Sequence, residues 1–209
     1  RTTLLQDFST ALHSPTLLVA MVVTLVAMFA SVAVQPVLAL YVQALSGVQS
    51  TALSGLIFSL PALALVVSAN LWVMAGERVG YRALMRWALA AAAVVAAAIP
   101  FVRSIVGFGA AYFLHGLFIA ALRPTSSALI SAEVESSFHG RAFGMQQSAT
   151  MLGGMLGPTL AGFVTGLFGF GSVFWLVGAV MAAGALALFV LERARSKGTA
   201  PLASKPSLR

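Results

Sequence analysis

The chain has 209 residues, 60% of them hydrophobic and only 8% charged. A soluble domain carries roughly 25% charged residues, so 12 Lys+Arg and 5 Asp+Glu are too few to coat one, and lipid is the expected solvent for most of the chain. A soluble enzyme, a nucleic-acid-binding domain and a disordered tail are excluded. The net charge of +7 is scattered through short gaps between apolar runs, not gathered on the one water-facing surface that a polyanion requires.

Cys is absent, which removes disulfides and thiolate metal sites. No metal, cofactor or catalytic group is expected. The chain opens on Arg1 without the short apolar stretch and cleavage site of a secretory signal, and we read residues 1–14 as the end of a linker inside a longer protein.

A spanning helix needs about 20 mostly apolar residues, and six such runs follow in order. They are Pro15 to Leu45, Leu53 to Ala75, Ala83 to Phe101, Ser104 to Ile130, Ala142 to Phe168 and Ser172 to Leu191. Ser46-Gly47, Gly76 and Gly80, Pro100, and Gly166, Gly169 and Gly171 punctuate them. The runs are apolar on all sides, so they read as helices and not as alternating strands. A bundle over 15–191 and a basic tail over 192–209 complete the layout.

Lys and Arg set the expected orientation. Arg1, Arg78, Arg82, Arg86, Arg141, Arg193, Arg195, Lys197, Lys205 and Arg209 fall on one side, and Arg103 alone on the other. Both termini of this multi-pass membrane protein are therefore expected in the cytoplasm.

Polar residues sort the runs. The first holds Thr24, Ser31 and Gln35, the fourth Tyr112, His115 and Arg123, the fifth Gln146, Gln147 and Thr150. The second carries Ser54, Ser59, Ser68 and Asn70, while the third and sixth are nearly plain Ala, Val and Leu. Two rich helices followed by a bland one, twice over, make a weak repeat of three-helix units, and an odd number of crossings inverts the second unit.

Thr24, Ser31 and Gln35 are expected to line a cavity. So are Gln146 and Thr150, spaced with Gly153 and Gly157 along one helical face. Gly153, Gly154, Gly157 and Gly162 allow close helix contact, and Pro158 removes one helical hydrogen bond; the face reads equally as a sliding gate or as static packing. Arg123 is the costliest residue, roughly 3 kcal/mol at a helix centre, and its side chain leans toward the midplane. His115 stands roughly 12 Å up the same helix and is a candidate proton shuttle. Glu133 and Glu135 read as solvated at the helix end, and no acid sits deep in any run.

Glu77-Arg78-Val79-Gly80-Tyr81-Arg82 resembles the signature G-x-x-x-D-R-x-G-R-[RK] of the major facilitator superfamily, with Glu77 at the Asp position, Arg78, Gly80 and Arg82 matching, and Val73 at the first Gly. Gly153 to Gly162 is similar to the G-x-x-x-G-P-x-x-G-G pattern of its drug antiporters, with Ala161 for one Gly. The resemblance, which runs from about Ser9 to Leu191, implies an all-α membrane fold of six helices as two inverted three-helix repeats, helices seven to twelve of a twelve-helix transporter. It implies a charge latch at Glu77, Arg78, Gly80 and Arg82. The first and fourth runs would face the cavity, the second and fifth the missing N-terminal half, the third and sixth lipid. The implied activity is proton-coupled efflux of drugs or other amphipathic molecules by alternating access; sugar and metabolite exporters share these patterns. The partners are the bilayer, the N-terminal half, a small solute and protons.

Two other classes fare worse. A six-helix intramembrane serine protease needs G-x-S-G, and Ala52-Leu53-Ser54-Gly55 lacks the first Gly. Val79-Gly80-Tyr81 has part of a potassium filter, but its arginine neighbours would repel cations.

Overall fold

The computed structural model describes residues 14–198, with side chains to residue 193; the expectations for Arg1, Arg195, Lys197, Lys205 and Arg209 lie outside what is described. Every apolar run folds as a helix, and no strand occurs among the described residues. The helices are α1 (Pro15–Ala33), α2 (Gln35–Ser46), α3 (Thr51–Val79), α4 (Tyr81–Ala98), α5 (Ile105–Glu133), α6 (His139–Phe168) and α7 (Ser172–Gly198). Six spans are long and apolar enough to cross a membrane.

Local chemistry explains the ends. Ser14, Ser50 and Ser104 cap α1, α3 and α5 by accepting from the backbone N–H three residues on, which satisfies one of the free donors of a first turn. Gly47 closes α2 in the left-handed region at φ 70.

The expected single first helix is two. It breaks at Val34 because Pro36 has no N–H to give the preceding turn. The expected gap around residues 76–82 is also absent: Glu77 and Arg78 form the last turn of α3, and Gly80 alone joins α3 to α4. Its φ of 89 and ψ of 129 suit only a residue without a Cβ. The fourth and sixth runs extend helically to Glu133 and Gly198, beyond their expected limits.

The inverted repeat is visible in the packing. The most extensive contact joins α1 to α6, and its counterpart joins α5 to α3. Likewise α4 packs on α5 as α7 packs on α1, while α4–α7 and α1–α5 map onto themselves. Exchanging the two three-helix units reproduces the same set of neighbours. α1 is the most buried span, and α3 and α6 are the least. The bland runs are not simply lipid-facing: Ala88, Ala92, Ala93 and Ala96 of α4 are buried, while Trp87 and Val94 are exposed.

Candidate functional site

A cavity of about 310 Å³ opens between α1, the start of α2, α3 and α5. Its wall is largely apolar, with Met28, Phe58, Pro61, Leu65 and Ile119 among the liners, and its polar groups are Ser31, Gln35, Tyr112, His115 and Arg123. Small apolar-lined cavities with a few placed polar groups are the usual form of a solute site.

Prolines shape this wall. Pro36 and Pro124 withhold the helical N–H from the carbonyls four residues back, Val32 and Ala120, and both of those residues line the cavity. Gly116 lets α5 approach α3 closely at Pro61: a Cβ on Gly116 would stand 2.7 Å from the Pro61 Cα. The Trp72 indole donates to the Leu117 carbonyl at 3.0 Å and ties the same two helices.

Four of the seven expected cavity residues meet here. The Ser31 hydroxyl donates to the Ala27 carbonyl at 2.7 Å, and the Gln35 amide to the Ser31 carbonyl at 3.4 Å. His115 is buried; Nδ1 lies 3.1 Å from the Ala92 carbonyl of α4. A carbonyl only accepts, so Nδ1 carries the proton and neutral imidazole leaves Nε2 as an acceptor. That Nε2 is the one buried side-chain polar atom without a partner among the described residues. Arg123 is exposed on the cavity wall and makes no ion pair among the described residues.

The other three lie elsewhere. Thr24 is buried and donates back to the Ala20 carbonyl at 2.8 Å. Gln146 donates to the Ser126 hydroxyl at 3.0 Å, and Ser126 donates to the Ala20 carbonyl at 3.3 Å. Thr150 donates to the Gln146 carbonyl at 2.9 Å. Gln146 and Ser126 thus stitch α6 to α5 and α5 to α1, Thr24 and Thr150 bond within their own helices, and none of the four lines the cavity. Their polarity serves helix packing, where an unpaired polar group would be costly.

Of the glycines expected to allow contact along α6, Gly153 and Gly157 carry the closest approach. A Cβ on Gly153 would fall 2.2 Å from the Leu25 carbonyl oxygen, and one on Gly157 2.9 Å from that of Phe29. Gly154 meets the Met28 side chain at ordinary distance, and Gly162 and Gly166 meet nothing within 4 Å. Gly162, expected to allow close helix contact, therefore makes none among the described residues. Pro158 sits half-buried inside α6.

At the Gly80 end the charges pair differently from the expected latch. Glu77 and Arg78 are exposed and form no ion pair among the described residues. Arg82 instead binds Glu133, with Nη2 2.6 Å from Oε2 and Nε 3.4 Å from Oε1. Nη2 also donates to the Thr16 hydroxyl at 2.7 Å, which donates to the same carboxylate at 2.7 Å. Glu133 is thus no solvated end residue: it clamps the α5 terminus to the first turns of α1 and α4. Arg86 pairs with Glu192, joining α4 to α7. Neither partner follows from local pattern. At the opposite end Tyr41, Phe108 and Phe174 form an aromatic cluster, with Tyr112 stacked on Phe108 at 5.6 Å.

The profile of the Major Facilitator Superfamily matches residues 17–208. The chain belongs to that superfamily. It is 30% identical over 184 residues to the uncharacterized MFS-type transporter YuxJ of Bacillus subtilis, covering 88% of this chain and 47% of that relative. It is also 30% identical to multidrug resistance protein MdtG of Proteus mirabilis, over 76% of this chain and 40% of MdtG. To MdtG of Klebsiella pneumoniae it is 30% identical, over 84% of this chain and 43% of that protein. The chain thus spans about half the length of the curated relatives it matches. A major facilitator is a transporter, and the cavity offers binding groups for a solute. Ser54, the only nucleophile of the protease alternative, donates to the Ser50 carbonyl on the first turn of α3 and is not on the cavity wall.

Proposed function

We propose that the chain forms one half of a membrane transporter that exports small amphipathic molecules by alternating access, driven by proton re-entry. The observation that carries this reading is the cavity at the middle of the bundle, bordered by α3, a helix whose outer face has no partner among the described residues. That face exposes Leu56, Phe58, Val66, Val67 and Leu71, and α6 exposes Met151, Met155 and Phe163 in the same manner. A second six-helix half laid across both would close the cavity and provide its other wall. The multidrug names of the MdtG relatives favour drug-like cargo over sugars. The arginines at the Gly80 end support a cytoplasmic position for that end and for both termini, in a bacterial inner membrane. No described carboxylate stands on the cavity wall, which favours a titrating acid in the other half.

The test uses inside-out membrane vesicles carrying the intact gene product. Energised vesicles are expected to accumulate a fluorescent amphipathic dye, and a protonophore to abolish the accumulation. Vesicles containing residues 1–209 alone are expected to stay at background, and accumulation against a gradient by that chain alone contradicts the half-transporter reading.

A further inference from the structure

We infer that the half-cavity selects solutes that carry an anionic head, an apolar body and one hydrogen-bond donor, with Arg123 holding the anion and His115 accepting from the donor. The inference rests on the transport reading and adds the class of solute to it.

The charge balance of the chain leads there. Its five acids are Asp7, Glu77, Glu133, Glu135 and Glu192. Glu133 and Glu192 are committed to Arg82 and Arg86, Glu135 accepts from Ser137 at 2.7 Å, and Glu77 is exposed on the last turn of α3. None of these four is on the cavity wall. Arg123 is permanently charged and sits only four residues from Ile119, the middle of α5, about 6 Å along the helix. It therefore carries into the membrane interior a cation that no acid balances among the described residues. An anion bound there forms charge-assisted, bidentate hydrogen bonds to a guanidinium, whereas a cationic drug at the same wall is repelled.

His115 supplies the second, independent observation. Its ring bridges from the Ala92 carbonyl of α4 to the cavity wall, and it is 1% exposed. With Nδ1–H spent on that carbonyl, the unpartnered Nε2 is a buried acceptor, and such a group is costly until a donor reaches it. No described residue offers one. Arg123 lies eight residues further on, about 12 Å of helix rise, and its long stem leans back toward His115. The two groups are thus close enough to engage one small molecule, and Met28, Phe58, Leu65 and Ile119 supply apolar surface for its body.

The experiment uses a matched probe pair. 8-Anilinonaphthalene-1-sulfonate has an anion, an aromatic body and an N–H; N-phenyl-1-naphthylamine has the same rings and N–H without the anion. Inside-out vesicles with the intact gene product are expected to favour the sulfonate at least tenfold in protein-dependent uptake. Arg123→Gln should lower that preference at least tenfold, and Arg123→Lys, which keeps the charge, should restore most of it and so separates charge loss from misfolding. Methylating the aniline nitrogen should weaken sulfonate uptake several-fold in the wild type and leave it unchanged in His115→Phe. Equal handling of the two probes, or an unchanged preference in Arg123→Gln, overturns the inference. Uptake of ethidium, a cation, with neither naphthyl probe transported overturns it too while the transport reading stands. No uptake of any of the three ends both. Sulfonate binding to purified protein in phosphatidylcholine nanodiscs should persist when phosphatidylglycerol is added; its loss would assign Arg123 to a lipid headgroup and overturn the solute assignment.

Discussion

Glycines of one helix divide by what their missing methyl would meet. Gly153 faces the Leu25 carbonyl of α1 so closely that an added Cβ would lie 2.2 Å from its oxygen, a contact that backbone must move to relieve. Gly162, nine residues along α6, is exposed and meets nothing. Gly153→Ala is accordingly expected to destabilise the bundle by about 1–3 kcal/mol, the usual cost of overpacking. Gly162→Ala should fall within about 1 kcal/mol of wild type, on the stabilising side, because alanine favours helix over glycine. Thermal unfolding of the two variants in the same detergent or lipid measures both, and equal midpoints would show that α1 and α6 are not locked together at Gly153. This same close approach distinguishes a gate that slides along α1 from a fixed seam: Gln146, Ser126 and the Ala20 carbonyl bridge α6 to α1 through α5, and bridged helices do not slide freely.

Between elements, the clamp of Thr16, Arg82 and Glu133 fastens three helix ends at one point. The Arg82 side chain is 14% exposed and that of Glu133 33%, so the pair is partly screened, and its coupling should be near the upper end for accessible ion pairs, about 1 kcal/mol. A double-mutant cycle with Arg82→Gln and Glu133→Gln, followed by denaturant unfolding, measures it; strictly additive losses would show that the pair contributes no coupling. The clamp also marks what local pattern reveals and what it hides. The six spans and their breaks were legible because length, hydropathy and Gly or Pro placement act within a few residues. Arg82 was legible as part of a charged motif, but Glu133 was read as solvated, since its partner lies 51 residues away. Gln35 and Gln146 look alike in sequence, each an amide in a largely apolar helix. One lines the cavity and the other holds α5, because a polar face can meet water or a neighbouring helix with the same period. The break at Val34 is not legible from hydropathy, which runs unbroken through Pro36; the effect of that proline on the preceding turn appears only in the backbone.

At the scale of the whole molecule, the bundle leaves two apolar faces uncovered, and they belong to symmetry-equivalent helices. α3 and α6 occupy corresponding places in the two three-helix units, so one surface laid across the pseudo-twofold axis would cover both, as a second half of the same build would do. α4 and α7 pack chiefly on each other, on the side that such a surface would leave to lipid. Val66 of α3 and Val94 of α4 test the difference, being 80% and 70% exposed in this chain. Because the chain has no Cys, a cysteine at either position carries a spin label without background. In the chain of 209 residues alone, both labels should respond equally to oxygen dissolved in the bilayer. In the intact gene product Val66→Cys should lose most of that response while Val94→Cys keeps it. A Val66 label that stays as accessible as the Val94 label would mean that lipid, not protein, covers α3, and the cavity would then lack its proposed opposite wall.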